Sequence, residues 1–206
     1  MVHTLQSPLA THLINRLRDR STDALMFRGI VKQLTLLLAG KAFERTDLSP
    51  ESLETWQGEA DYEIIREEEL VFVTILRAGL PMLDAVTELF PKAAAGFLAM
   101  KRDETTHEAV LYYERLPECS GKHVIVVDPM VATGGSLSDA VARLYEKQPA
   151  KITSLNIIAA REGLDAVMRR HPGLELYVTQ IDARLNDDKY IVPGLGDAGD
   201  RSFNTF

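Results

Sequence analysis

The sequence predicts an α/β fold: a mostly parallel sheet flanked by helices, with a helical segment ahead of it and an irregular C-terminal segment behind. Two observations predict it. Short apolar runs such as LVFVTIL (Leu70 to Leu76) recur without polar alternation, as in strands buried on both faces. Between them lie stretches whose apolar residues step by three and four, the period of one helix face. Strands and helices in alternation build a parallel sheet covered on both sides.

The elements follow in order. Met26, Ile30, Leu34, Leu37 and Leu38 mark a helix from about Thr22 to Glu44, and Thr46 to Gly58 reads as a polar connection. The strand Leu70 to Leu76 leads through Arg-Ala-Gly-Leu-Pro into a helix over Met82 to Phe90. Ala93 to Met100 is the next strand. Asp103 to Pro117 is polar with a Val-Leu-Tyr-Tyr centre and suits a mobile hairpin, in which Tyr112 and Tyr113 are read as strand packing in preference to a substrate role. Val124 to Val127 is a strand with a helix behind it, Ile152 to Ala160 another with a helix to about Arg170, and Leu174 to Ile181 a further strand. With 206 residues, 46% of them hydrophobic, residues 1–206 are expected to form one domain.

Composition removes several function classes. Lys and Arg number 23 against 30 Asp and Glu, a net charge of -7, which opposes a nucleic-acid surface. Any phosphate binding must be local. Cys119 is the only cysteine, so no internal disulfide and no cysteine-based zinc site is expected, as suits a reducing cytoplasm. The N-terminal MVHTLQSPLATHLINRLRD lacks the order of a signal peptide, and no apolar stretch approaches the roughly 18 residues of a spanning helix. A cytoplasmic protein with no membrane partner is expected. The histidines are scattered outside metal-ligand spacing, and no metal site built from protein side chains is expected.

Sheets of this class bind ligands beyond the carboxyl ends of their strands. Those ends carry Arg77-Ala78-Gly79, Lys101-Arg102, Asp128 to Ser136 and the segment after Tyr190. The richest is DPMVATGGS (Asp128 to Ser136). Ser136 followed by Asp139 ahead of Leu137, Ala140, Val141 and Leu144 has the S-x-x-D pattern of a capped helix start. Backbone N–H groups of Thr133, Gly134, Gly135 and Ser136, two hydroxyls and the positive helix end then suit a phosphate monoester. The two glycines let the backbone approach the anion. Asp128, a few residues earlier, is placed to accept hydrogen bonds from sugar hydroxyls on that phosphate, so a phosphorylated ribose fits. The same residues also suit a tight strand-to-helix turn with Asp128 as a local cap. Arg77 alone suits a surface ion pair as well as a ligand, and Lys101 with Arg102 a solvated charge pair. There is no GxxxxGK[ST], which disfavours a Walker-type NTPase. GLGDAG (Gly194 to Gly199) matches GxGxxG, but only Asp200 to Phe206 follow it, too little for the helix and second strand of a dinucleotide site.

ILRAGL (Ile75 to Leu80), DPMVATGGS and YIVPGLGDAGDR (Tyr190 to Arg201), in this order, together with LYYERLP, resemble the uracil phosphoribosyltransferase family from about Phe27 onward. The resemblance implies a type I-like phosphoribosyltransferase sheet with a C-terminal base-binding segment. It implies the reaction of uracil with 5-phosphoribosyl 1-diphosphate to give UMP and diphosphate, magnesium held mainly on the diphosphate, and a homodimer or higher homo-oligomer. It assigns Asp128, Pro129, Met130, Val131, Ala132, Thr133, Gly134, Gly135 and Ser136 to the ribose and its 5-phosphate, and Arg77 and Arg102 to the diphosphate. Ile191, Gly196, Asp197 and Ala198 are assigned to uracil, with Asp197 also near the phosphoribosyl group and its metal. Asp128, Arg77 and Asp197 are the residues expected at the chemistry. Pro81 and the tail SFNTF depart from the family pattern. A rival reading is a nucleotide-sensing regulator with little catalysis; another is a transferase for a different base.

Overall fold

The computed structural model describes residues 1–102 and 109–205. The chain begins with β1 (Val2–Thr4), α1 (Pro8–Arg18) and α2 (Ala24–Ala42), followed by the hairpin β2 (Ser49–Thr55) and β3 (Gly58–Ile64). Then come β4 (Leu70–Leu76), α3 (Leu80–Leu89), β5 (Ala94–Arg102), β6 (Ala109–Arg115), β7 (His123–Val127), β8 (Met130–Val131) and α4 (Gly135–Tyr145). The rest is β9 (Lys151–Ala160), α5 (Arg161–Arg170), β10 (Glu175–Asp182), the short pair β11 (Arg184–Leu185) and β12 (Ile191–Val192), and α6 (Ala198–Phe203).

The main sheet has the order β1-β10-β9-β7-β4-β5-β6, with β8 added beside β9. All its pairings are parallel except β5 with β6. Its central strands are apolar on both faces because helices cover both. One core packs α1, α2 and α3 against the sheet; the other packs α4 and α5. Asp23 caps α2 by accepting the Met26 N–H at 2.8 Å, and Ser7 caps α1 ahead of Pro8 in its first turn. The buried stripe of α2 is Phe27, Ile30, Val31, Leu34 and Leu38; Met26 is exposed and Leu37 only partly covered, so the inward face is centred on Phe27 rather than Met26.

Three local expectations are corrected. The polar connection over Thr46 to Gly58 contains β2, which runs antiparallel to β3 from Ser49↔Ile64 to Thr55↔Gly58. This hairpin has no buried face and carries Trp56, 92% exposed, at its tip. The S-x-x-D helix start does not form: the N-cap of α4 is Gly134, in the left-handed region at φ 81°, Ser136 lies inside the helix, and Asp139 pairs with Arg170. Tyr112 and Tyr113 on β6 are 66% and 50% exposed instead of packed. Of the hairpin expected over Asp103 to Pro117, β6 forms and pairs antiparallel with β5, which precedes that range; residues 103–108 lie outside the described residues. Among the described residues no helix is long and apolar enough to cross a membrane.

Candidate active site

The carboxyl ends of β4 and β7 meet. Thr74 donates its hydroxyl to the Val127 carbonyl at 3.2 Å, and a Cβ at Gly79 would lie 2.2 Å from Thr74 Oγ1 and 2.6 Å from that carbonyl. Only glycine therefore lets the Arg77-Ala78-Gly79 loop close against Val127, the residue before Asp128 at the carboxyl end of β7. The Leu76–Arg77 peptide is cis. The Arg77 guanidinium, half exposed, donates to Asp200 Oδ1 at 3.2 Å and to Thr205 Oγ1 at 3.1 Å. Gly199 lies within reach of the same guanidinium and of Ala78. α6 thus rests on the Arg77 loop, and Asp197, its N-cap, accepts the Asp200 N–H at 2.8 Å. Arg77, Asp128 and Asp197 stand on three segments that converge at one end of the sheet.

Asp128 is buried, and loss of hydration pushes its carboxyl up to about 7, partly offset by the Met130 N–H. Its main chain is held by β9: its N–H donates to Leu155 O, and Asn156 Nδ2 donates to its carbonyl at 2.7 Å. Ser154 in turn donates to Asn156 Oδ1 at 2.8 Å. Ile157 and Ile158 both donate to Pro129 O, and Met130 and Val131 pair with Ile158 and Ala159 as β8. Asp128 to Val131 therefore hang from β9 by main-chain bonds.

The loop that follows is braced from α5. A Cβ on Gly134 would lie 2.6 Å from Gly163 O, and one on Gly163 would lie 2.0 Å from Ala132 O. At Gly135, by contrast, the nearest atom is Thr133 Oγ1 at 3.7 Å, so a side chain there would fill the open mouth of the turn and not a neighbour. Thr133, Gly134, Gly135 and Ser136 line that mouth at the start of α4, whose first N–H groups precede the helical ladder.

At the other edge of the site, Ile191 on β12 and Ala198 on α6 have buried side chains, so only their main-chain groups are available to a ligand. Gly194 and Gly196 both have positive φ, 61° and 80°. Arg102 ends β5 at the same end of the sheet; its side chain lies outside the described residues. The GLGDAG segment is not a dinucleotide fingerprint: a two-residue strand precedes it and the six-residue α6 overlaps its end. Sequence reasoning missed Ser154, Asn156 and Gly163. The only signal for them was polar residues and a glycine set in otherwise apolar or helical patterns.

A mostly parallel sheet with an acidic strand end, a glycine-rich turn opening a helix and an arginine loop at the same end has the layout of a phosphoribosyltransferase. The fold agrees: purine phosphoribosyltransferase from Pyrococcus horikoshii superposes with a TM-score of 0.52 at 13% identity, covering 75% of this chain and 83% of that one. The family model for uracil phosphoribosyltransferase matches residues 4–205, and the chain belongs to that family. Uracil phosphoribosyltransferases of Aquifex aeolicus and Deinococcus radiodurans are 42% and 40% identical to it, over 98% and 100% of this chain and 98% of each relative. The solved structure of the AQ2163 protein from Aquifex aeolicus superposes with a TM-score of 0.96 at 41% identity, covering 100% of this chain and 99% of that one. The chain is accordingly a pentosyltransferase.

Proposed function

We propose that this site joins uracil to 5-phosphoribosyl 1-diphosphate, giving UMP and diphosphate, a step of pyrimidine salvage. The observation that supports it best is the convergence of the Asp128 to Ser136 loop, Arg77 and the Asp197 helix at one end of the sheet. The 5-phosphate sits against Thr133 to Ser136, and the Asp128 carboxylate takes the ribose hydroxyls. Arg77 and Arg102 hold the diphosphate. As diphosphate leaves, positive charge grows on the anomeric carbon, so no protein nucleophile is needed and positioning with electrostatics carries the rate. A buried carboxylate is suited to this, since low polarity strengthens its field at the sugar. Arg77 exchanges Asp200 and Thr205 for diphosphate oxygens. This reading is favoured over a non-catalytic regulator because the chain matches named enzymes along its whole length.

Among the described residues no three His, Cys, Asp or Glu side chains gather into a metal cage. The donor set fits a magnesium ion held mainly by diphosphate and water, with the Asp197 carboxylate reaching it through water. Such an ion supplies a Lewis acid on the leaving oxygens. A cytoplasmic home suits the lone Cys119, buried with its thiol pushed up by loss of hydration. We also propose that the chain works as a homo-oligomer. The β2–β3 hairpin supports this, since a two-strand arm with an exposed Trp56 is marginal by itself and gains from a surface to rest on. Light scattering of Trp56→Ala against the parent chain tests it; an unchanged monomeric mass for both would refute it.

Uracil offers a ring N–H between two carbonyls, whereas cytosine presents a bare nitrogen and an amino group. Main-chain groups around Ile191 and Gly196 cannot reverse their polarity, so cytosine leaves buried groups unpaired. Diphosphate release with each free base tests the assignment: kcat/KM for uracil should exceed that for cytosine by about 10⁴-fold. A ratio within tenfold would refute it. Gly196→Ala should lower uracil turnover, since it puts a Cβ on a backbone at φ 80°, 3.5 Å from Arg201 Cδ. Ile191→Val should not.

A further inference from the structure

We infer that Arg18 and Asp182, which lie outside every recognisable motif, are positioning residues that set the main-chain geometry of the base-reading segment; the inference rests on uracil being read by residues 191–198. Arg18 closes α1 and Asp182 closes β10, 164 residues apart. They form a two-bonded pair, Nη1 to Oδ2 at 2.8 Å and Nη2 to Oδ1 at 2.7 Å. The carboxylate side chain is 3% exposed and the guanidinium 21%, so water screens the pair little. Burial raises the Asp182 carboxyl, but Arg18 and the Gly194 N–H outweigh it and the group stays below its ordinary value, charged.

The pair does more than close on itself. Gly194 donates its N–H to Asp182 Oδ2 at 2.8 Å, and its carbonyl accepts from Arg18 Nη1 at 2.7 Å. Both polar groups of one residue are thus captured by one ion pair, which fixes the peptide planes on either side of it. Gly194 sits at φ 61°, where a Cβ would fall 2.0 Å from Ile191 O, so the turn is as tight as the chain permits. The next carbonyl, Leu195 O, accepts from Arg201 Nη1 at 2.8 Å. Arg201 is held by the Leu17 and Asp19 carbonyls at the end of α1 and lies 4.5 Å over the Phe27 ring. Every directed bond on residues 194 and 195 therefore runs to a guanidinium or carboxylate anchored on α1 or β10. Gly196 comes next, and its orientation is inherited from these two peptides. A rotation of a few tens of degrees at Gly194 would turn the Gly196 N–H away from a base oxygen while leaving the phosphate loop, which hangs from β9 and α5, where it is.

Arg18→Lys separates this role from simple support. Lysine keeps a positive charge beside Asp182, but one ammonium cannot hold both carboxylate oxygens and the Gly194 carbonyl in a planar fork. The full chain carrying this change should unfold within a few degrees of the parent. Its KM for uracil should rise roughly tenfold, and its uracil-to-cytosine kcat/KM ratio should fall by a similar factor. The KM for 5-phosphoribosyl 1-diphosphate should stay within about twofold. Asp182→Asn, which keeps an acceptor for the Gly194 N–H and loses the fork, should show the same uracil-specific defect, and it serves if the lysine variant folds poorly. Folded variants with unchanged uracil KM and unchanged base ratio would overturn the inference. So would equal losses for both substrates, the mark of general support. If Gly196→Ala also leaves uracil turnover intact, it is the assignment of the base segment that fails; if only the Arg18 and Asp182 variants are silent, the positioning role alone falls.

Discussion

Replacing Asp128 with asparagine removes the carboxylate while leaving an oxygen to accept the Met130 N–H. In the unfolded chain this carboxyl titrates at its ordinary value of 3.8; in the fold, burial pushes it up to about 7. A group whose folded value lies above its unfolded value makes the fold bind a proton that the unfolded chain releases. Stability is then fully present below pH 4 and declines as pH rises toward 7, where the folded carboxyl also ionises and the loss levels off. Three pKa units at about 1.4 kcal/mol each place the full cost of the charged carboxylate at about 4 kcal/mol, with roughly 2–3 kcal/mol of it falling between pH 5 and pH 8. Asparagine does not titrate. Urea unfolding at pH 5 and pH 8 should therefore show Asp128→Asn gaining on the parent chain by roughly 2–3 kcal/mol across that interval, and exceeding it outright at pH 8. The same variant should lose roughly 10²-fold or more in kcat/KM, because the charge opposite the developing cation is gone. A stability difference that does not change with pH, or full activity, would refute the reasoning. On the proposed role of Asp128, the fold tolerates an unfavourable charge here for what it does to the substrate.

Gly163→Ala would ordinarily favour α5 by up to about 1 kcal/mol, but its Cβ would lie 2.0 Å from the Ala132 carbonyl, so the phosphate loop must shift. We expect a net loss of roughly 1–3 kcal/mol in urea unfolding, with a higher KM for 5-phosphoribosyl 1-diphosphate; a stabilised variant with normal KM would show that the loop is not braced from α5. Turnover should cease in excess chelator and return with added magnesium, because the donor's diphosphate carries more charge than Arg77 and Arg102 neutralise. Unchanged rates in chelator would remove the metal from the scheme.

Leu70 to Leu76 was legible to the residue, because a strand buried on both faces writes its whole length in apolar side chains. The hairpin of β2 and β3 was not, because strands with no buried face leave no such record. The turn that opens α4 could be read from DPMVATGGS, yet its helix cap could not: Ser136 and Asp139 have the right spacing, but Gly134 is the cap and Arg170 on a neighbouring helix pairs with the aspartate. Local patterns also conceal partners that are distant along the chain. Nothing near Arg18 announces Asp182, and nothing near Asn156 announces the Asp128 carbonyl it supports.

The two helical layers brace different halves of the cleft. The phosphate loop leans on α5, on one face of the sheet, while the turn at Gly194 and Leu195 is moored to α1 and α2 on the other. The sheet between them acts as a bulkhead. The polar anchors on the two sides are separate, while Met130 and Ala132 pack against the same core as Ile191 and Leu195, so changes to the anchors should add more nearly independently than changes to that shared core. On the proposed assignment of the two halves, a lineage, or an engineer, can retune base preference from the α1 side while the turn at Thr133 to Ser136 keeps its own braces.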